Sequence, residues 1–181
     1  MIYHQKSSER EVSITLLPDG NIKKSVYCFL PYISAEKFLN TKITAFSKFL
    51  NFLKEEPQNS LVKVYDYQIN LNNNFYYYVM EHLKSLNKKE ESLADDFYNY
   101  HNGNLSKKEE REYSSLIKSH YKLYQFLEEN CSSYNDVHGG NIGINKNGEY
   151  KFMDLEGAAW DFDAKQDCMF VKFKNKIIFK G

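Results

Sequence analysis

Three polar side chains in the last third of the chain have the types and spacing needed to hold a phosphate and a hard metal ion. Asp136 and Asn141 stand in one short loop, with His138 and the pair Gly139–Gly140 between them. Asp154 follows further along the chain. Carboxylate and amide oxygens are the ligands that Mg²⁺ prefers, and Mg²⁺ takes its other ligands from water and substrate phosphates.

A short hairpin is predicted to position these side chains. The apolar run Ile142–Ile144 reads as one strand, Asn145–Gly148 as a turn and Tyr150–Met153 as the returning strand. An Asn-Gly pair between two β-prone runs is the strongest short-range hairpin signal. Because Asp154 stands where the second strand ends, the hairpin is expected to bring all three polar side chains to one rim.

This arrangement predicts phosphoryl transfer from a nucleotide. In such sites one carboxylate orients the attacking hydroxyl, while an Asn and a second carboxylate hold Mg²⁺ against the phosphates. The alternative is that Asp136 and Asp154 are two unrelated acids in surface turns. That alternative suits either residue alone, but the joint spacing and the strand context disfavour it.

The two segments that carry these residues resemble the protein-kinase-like superfamily. Asp136 to Asn141, read Asp-Val-His-Gly-Gly-Asn, resembles the catalytic loop of the aminoglycoside and choline phosphotransferase branch, where Asp-Leu-His-Pro-Gly-Asn is usual. Met153 to Ala158 resembles the metal-binding segment of that branch, the counterpart of Asp-Phe-Gly in protein kinases. The resemblance implies ATP and Mg²⁺ as cofactors, with catalytic residues Asp136 and His138 and metal ligands Asn141 and Asp154.

Two neighbouring residues leave alternatives open. His138 is either a donor to the γ-phosphate or acceptor, or a residue that stiffens the loop through a bond to the backbone. Glu156 is either an outer partner of the metal or a surface residue, and we expect it at the surface.

Composition bounds the class of protein. Of 181 residues 42% are hydrophobic, and 24 basic residues balance 24 acidic ones, so no net charge steers the chain to nucleic acid or a membrane. No apolar run reaches the length of a membrane span. The three cysteines lack metal-ligand spacing, which favours free thiols in a reducing compartment. We therefore expect a cytoplasmic protein that binds neither nucleic acid nor membranes.

The first half of the chain alternates strand and helix patterns. Residues Met1 to Arg10 are expected to form a loose lead-in. The predicted elements after it are strands over Glu11–Leu17 and Ile22–Leu30, an amphipathic helix over Ser34–Lys54, and strands over Leu61–Tyr67 and Phe75–Met80. This order resembles the small lobe of a kinase up to its linker, which implies Glu81, His82 and Leu83 as adenine contacts. By strand position Lys24, with Lys23 next, is the nearest counterpart of the family's phosphate-binding Lys.

The stretch before the catalytic loop is predicted to be helical. A short helix is expected near Leu93–Tyr100. Ser106 and Glu109 form a capping box, which should open a long helix ending at about Asn130. After the hairpin, Cys168 to Phe179 reads as a terminal strand or extended segment.

The resemblance predicts an α+β, two-lobed kinase-like fold. A small antiparallel sheet with one helix, residues 1–83, would lie over a truncated and mainly helical lobe, residues 84–181, with the candidate residues in the cleft. Four features depart from the family: no Gly-rich phosphate loop, no clear phosphate-binding Lys, no clear partner Glu within the first helix, and Tyr134 where the family has His. The shortened second lobe resembles the minimal kinases of bacterial effectors and phages, which would place the protein in the cytoplasm of the producing cell or of a host.

The sequence thus favours a Mg²⁺-dependent ATP phosphotransferase acting on a hydroxyl of a protein or a small molecule. A kinase-like protein that transfers little phosphate and works through protein–protein interaction is the alternative, supported by the missing Gly-rich loop. A metal-dependent hydrolase using Asp136, His138 and Asp154 ranks last, because a borderline metal would prefer more His ligands.

Overall fold

The computed structural model of the chain describes residues 3–7, 10–28, 46–95, 105–129 and 138–156. The protein combines α-helices with small antiparallel sheets, so the predicted α+β class is confirmed. The chain falls into two compact units. The first unit comprises Met1–Gln58 and Val62–His82, and the second comprises Asn59–Leu61 and Leu83–Gly181.

The first unit contains a five-stranded antiparallel sheet. Its strands are β1 (Tyr3–Lys6), β2 (Arg10–Leu16), β3 (Ile22–Cys28), β4 (Val64–Asn70) and β5 (Phe75–Met80), in the order β1-β2-β3-β5-β4. In the turn between β2 and β3, Gly20 adopts φ 84°, and Asp19 Oδ1 accepts from the Asn21 N–H at 3.0 Å. A 3₁₀ turn, Leu71–Asn73, connects β4 to β5.

One face of this sheet forms the core of the first unit. Residues 46–55 are helical and belong to helix α1. The Phe46 ring stands edge-on to the Tyr76 and Tyr78 rings, with centroids 5.3 and 5.8 Å away. Successive strand residues face opposite sides, so the buried residues Tyr76, Tyr78 and Met80 alternate with half-buried ones along β5. The described part of the predicted amphipathic helix thus packs through Phe46 on the buried face of β5.

Strand β1 corrects the expectation of a loose lead-in. Tyr3–Lys6 pairs with β2, with Tyr3 opposite Ile14, although all four residues of β1 are exposed. An edge strand with both faces in solvent pairs through its backbone and needs no apolar alternation. The polar composition of β1 therefore gave no strand signal, and the prediction for Met1 to Arg10 is wrong in this segment.

Among the residues that the structure describes, the second unit includes a three-stranded sheet and several helices. The elements are β6 (Lys84–Ser85), α2 (Lys88–Asp95), α3 (Lys107–Glu112), α4 (Ser114–Glu129), β7 (Ile142–Ile144) and β8 (Tyr150–Phe152), and the sheet order is β6-β7-β8. Helix α4 buries Leu116, His120 and Leu123. The His120 ring lies edge-on to Phe152 of β8, with centroids 5.1 Å apart. The Ser119 hydroxyl donates to the Tyr150 carbonyl at 2.7 Å, which ties α4 to the hairpin.

The strand predicted over Leu61–Tyr67 begins later than expected, at Val64. Of the residues before it, Leu61 belongs to the second unit, whereas Val62 and Lys63 belong to the first. Leu61 forms a parallel bridge with Phe152, and the Phe152 N–H donates to the Ser60 carbonyl at 2.9 Å. The apolar run is therefore divided between two sheets, which its periodicity alone did not reveal.

Helix α2 begins earlier than the predicted start at Leu93. Asn87 Oδ1 accepts from the N–H groups of Lys89 and Glu90, each at 3.0 Å, and Glu90 Oε2 accepts from the Asn87 N–H at 3.0 Å. This reciprocal pair is a capping box, and it fixes the helix start at Lys88. Residues 96–100 of the predicted helix lie outside the described residues.

The long helix predicted from Ser106 to Asn130 is two helices. Tyr113, at φ −106° and ψ 17°, ends α3, and α4 begins at Ser114. The predicted capping box at its start is confirmed: Ser106 Oγ accepts from the Glu109 N–H at 3.3 Å, and Glu109 Oε2 accepts from the Ser106 N–H at 3.0 Å. The Tyr113 side chain is buried at the break.

Replacing the capping residue tests this local account. Ser106→Ala is expected to lower the free energy of unfolding by about 1 kcal/mol, the usual cost of losing an N-cap hydroxyl. The hydrogen bond from Ser106 lowers the pKa of Glu109 below its ordinary value of 4.5. The stabilisation from ionised Glu109 is therefore present above the unfolded pKa and is lost as the pH falls through the folded pKa. Urea unfolding and an NMR titration check both effects. An unchanged Glu109 pKa in Ser106→Ala would contradict the role assigned to the Ser106 hydroxyl.

Candidate functional site

The predicted hairpin is confirmed and forms the frame of the candidate site. Ile142 pairs with Phe152 and Ile144 with Tyr150. Asn145 closes the turn through its side chain, since its Oδ1 accepts from the N–H groups of Asn147 and Glu149 at 3.0 and 2.9 Å. Gly148 supplies the left-handed conformation at φ 80° that the turn requires. The second strand ends at Phe152, one residue before the predicted end.

The open end of the hairpin brings Asn141 next to the segment that carries Asp154. The Met153 N–H donates to the Asn141 carbonyl at 2.9 Å, which extends the pairing one step beyond Ile142 and Phe152. Asp154 directly follows Met153, and both candidate ligands are half-buried. The two candidates at the ends of the hairpin's two strands therefore lie at the same end of the hairpin.

The residues before the hairpin form a tight 3₁₀ turn, Gly139–Asn141. The Asn141 N–H donates to the His138 carbonyl at 3.0 Å, and His138 Nδ1 accepts from the Gly140 N–H at 3.1 Å. Of the two interpretations of His138, this backbone bond favours the residue that stiffens the loop. The side chain of His138 is exposed.

Asp136, the predicted catalytic carboxylate, lies outside the described residues. The described part of the candidate site comprises His138, Asn141 and Asp154. Within the described ranges, no three His, Cys, Asp or Glu side chains are grouped so as to hold a metal ion. The donors that Asn141 and Asp154 offer are an amide and a carboxylate, a set that suits Mg²⁺ with water and phosphate as further ligands.

Glu156 is buried, which corrects the expectation that it lies at the surface. Only 3% of the residue is exposed, and its neighbour Leu155 is fully buried. Leu155 and Glu156 begin a helical turn directly after Asp154. Both residues lie in the interior of the second unit. The charge of Glu156 therefore did not indicate its exposure.

The three candidate adenine contacts lie in different environments. The Glu81 N–H donates to the Lys63 carbonyl at 3.0 Å, and Glu81 Oε1 accepts from the Lys63 N–H at 2.8 Å. His82 is exposed. Leu83 is buried against β7, where a Cβ built on Gly143 would lie 2.5 Å from the Leu83 Cβ. Glu81 is thus hydrogen-bonded to Lys63 within the first unit, and Leu83 packs against Gly143 within the second.

The two candidate phosphate-binding lysines lie on opposite faces of the five-stranded sheet. Lys24 pairs with Tyr78 and shares its face with the core, with Nζ 5.9 Å from the centroid of that buried ring. Lys23 pairs with Val79 on the other face, and its Nζ lies 3.9 Å from the centroid of Tyr77. Of the two, only Lys24 is on the face that α1 covers.

Two carboxylates that support the site were not identified from the sequence. Asp95 Oδ1 accepts from the Gly139 N–H at 2.7 Å, and Glu90 Oε1 accepts from the Tyr150 hydroxyl at 2.5 Å. Burial, followed by the nearby Glu90 carboxylate, raises the pKa of Tyr150. The capping box at Asn87–Glu90 was a readable signal for the start of α2. Nothing in the sequence pairs Asp95 with a loop 44 positions away.

No protein-family model matches the chain, and no curated protein matches it in sequence. None of the helices in the described ranges is both long and apolar enough to cross a bilayer.

Proposed function

We propose that the protein is a Mg²⁺-dependent ATP phosphotransferase. In this proposal Asp136 orients the acceptor hydroxyl, and Asn141 and Asp154 hold the metal that bridges the phosphates. His138 stiffens the loop between Asp136 and Asn141. The acceptor is a hydroxyl of a protein or of a small molecule.

The observation that carries the proposal is the 2.9 Å bond from the Met153 N–H to the Asn141 carbonyl. It joins the loop that ends at Asn141 to the segment that bears Asp154, so a residue with an amide oxygen and a residue with a carboxylate lie at the same end of the hairpin. Two such oxygen donors, with water and substrate phosphates, suit the way Mg²⁺ binds nucleotides.

The finer features of the proposal follow from the resemblance to the protein-kinase-like superfamily. They are a two-lobed kinase-like architecture, nucleotide contacts from Lys24, Glu81, His82 and Leu83, and a cytoplasmic location. Among these residues Lys24 is supported by its position on the face that α1 covers.

A kinase-like protein that acts through protein–protein interaction is the second candidate. It is favoured by an aromatic patch on the face of the sheet opposite α1, where the rings of Tyr27 and Phe75 lie 4.4 Å apart and Tyr77 follows 6.2 Å beyond. Tyr27 is 48% exposed. Phe75 and Tyr77 are half-buried beside it. Contiguous apolar groups that reach the surface often mark interaction surfaces.

Incubation with labelled ATP and Mg²⁺, followed by mass spectrometry, separates the two candidates. Phosphate on one of the protein's own Ser or Tyr residues, absent from Asp154→Asn, is the result we expect. The Asp66→Asn variant is a control, because Asp66 is an exposed acid of β4 that pairs with Lys54 at 3.3 Å. No label and no ATP consumption with wild type would favour the interaction protein, whereas label that persists in Asp154→Asn would contradict the proposed role of Asp154.

A further inference from the structure

Helix α2 is in direct main-chain contact with the turn of the candidate site. A Cβ built on Gly139 would lie 2.6 Å from both the carbonyl oxygen and the Cγ of Glu91, and 2.7 Å from the Glu91 Cα. Distances under 3.0 Å to backbone atoms leave no room for a side chain, so only glycine fits at position 139. Gly139 is buried in this contact.

A charged hydrogen bond holds the same contact. The Gly139 N–H donates to Asp95 Oδ1 at 2.7 Å. Bonds from a backbone N–H to a carboxylate are shorter and roughly twice as strong as bonds between neutral groups. Asn141, the first candidate metal ligand, stands two residues after Gly139 in the same 3₁₀ turn. The Asp95 carboxylate therefore fixes the backbone from which the Asn141 side chain projects.

The same helix also contacts the other strand of the hairpin. Glu90 uses Oε1 to accept from the Tyr150 hydroxyl at 2.5 Å and Oε2 to accept from the Asn87 N–H at 3.0 Å. Tyr150 begins β8, the strand that leads to Asp154. Within helix α2, Asp95 thus holds the turn that contains Asn141, and Glu90 holds the strand that leads to Asp154.

We infer that Asp95 is a positioning residue of the candidate site, which sets the placement of Asn141 relative to Asp154 through the Gly139 N–H. The inference rests on the proposed function insofar as Asn141 and Asp154 bind Mg²⁺. Asp95 itself touches neither the metal nor the nucleotide in this role. A carboxylate that served only the stability of the fold would leave the metal affinity of the folded protein unchanged.

The test compares Asp95→Ala with Asp95→Asn. Asp95→Ala is expected to weaken Mg²⁺–ATP binding by roughly 10- to 100-fold, the usual cost of losing an outer support of a metal site. Asp95→Asn is expected to restore the affinity to within a few fold, because the amide retains an oxygen that accepts from Gly139. Glu110→Ala removes an exposed acid from α3 and serves as the charge-matched control, with affinity equal to wild type.

A second readout does not depend on nucleotide binding. In ¹⁵N-labelled protein the Gly139 amide proton is expected to be strongly downfield and protected from exchange in wild type and Asp95→Asn. Both properties should be lost in Asp95→Ala. Melting temperatures show whether each variant is folded, and affinities are compared only for the folded fraction.

The outcomes separate the two proposals. Loss of Gly139 protection with unchanged Mg²⁺–ATP affinity in Asp95→Ala would overturn the positioning role and leave the proposed function standing. A wild type that binds no Mg²⁺–ATP would overturn the proposed function, and the Gly139 amide would still report whether Asp95 holds the turn. An unchanged Gly139 amide in Asp95→Ala would overturn the inference in either case.

Discussion

Asp136→Asn is expected to lower phosphate transfer by roughly 10²–10⁴-fold, the range for a lost general base, with almost no change in nucleotide affinity. The reason is that Asp136 is proposed to act on the acceptor hydroxyl and not on the resting nucleotide. Asp154→Asn is expected to weaken both Mg²⁺–nucleotide binding and turnover, because Asp154 is proposed to hold the metal. Calorimetric titration and steady-state assays of the two variants measure the difference.

Both substitutions are nearly isosteric, so melting temperatures close to that of wild type are the control. A small gain of affinity in Asp136→Asn also fits, because removing a carboxylate from an anionic site favours a bound polyanion. Equal loss of nucleotide binding in the two variants would contradict the division of roles between Asp136 and Asp154.

Gly139→Ala is expected to lower the free energy of unfolding by about 1–3 kcal/mol or to displace the turn from α2, since overpacking a closed contact has costs of this size. The added methyl would meet the Glu91 main chain at 2.6 Å, and a helix backbone cannot move aside as a side chain can. Because the turn leads into Asn141, we expect Mg²⁺–nucleotide binding to fall as well. Urea unfolding and nucleotide titration measure the two effects.

The adjacent glycine offers a matched control. A Cβ on Gly140 would meet only the His138 ring, at 2.8 Å from Cε1 and 3.0 Å from Nδ1. His138 is exposed, so its ring can rotate away, and the loss is then limited to the bond that it accepts from the Gly140 N–H. Gly140→Ala should therefore be much milder than Gly139→Ala. Equal losses of stability in the two variants would mean that the contact with Glu91 is not what constrains the turn.

Local signals predicted the frame of the candidate site well. The hairpin followed from an Asn-Gly turn between two short apolar runs, and the capping box at Ser106 and Glu109 followed from a spacing of three residues. Both features are decided by residues close together in the chain. The meeting of Asn141 with the Asp154 segment followed from the hairpin register, which the turn sets.

Features decided by distant contacts or by solvent exposure were not predictable in this way. The exposed strand β1 has no apolar pattern, and the run at Leu61 is split between two sheets. Glu156 is buried because the chain turns inward after Asp154, and no property of Glu itself indicates that turn. The bond between Asp95 and Gly139 joins residues 44 positions apart, and only the packing of α2 on the loop creates it.

We propose that this protein binds ATP through Mg²⁺. The most direct test is to measure the free energy of unfolding of the wild-type protein with ATP, once in the presence of Mg²⁺ and once in the presence of EDTA. At a hundredfold excess over the dissociation constant, bound ligand stabilises the folded protein by about 2.7 kcal/mol. We predict a rise of this size in the free energy of unfolding with ATP and Mg²⁺ and none with ATP and EDTA. No rise at millimolar ATP and Mg²⁺, or an equal rise in EDTA, would contradict the claim.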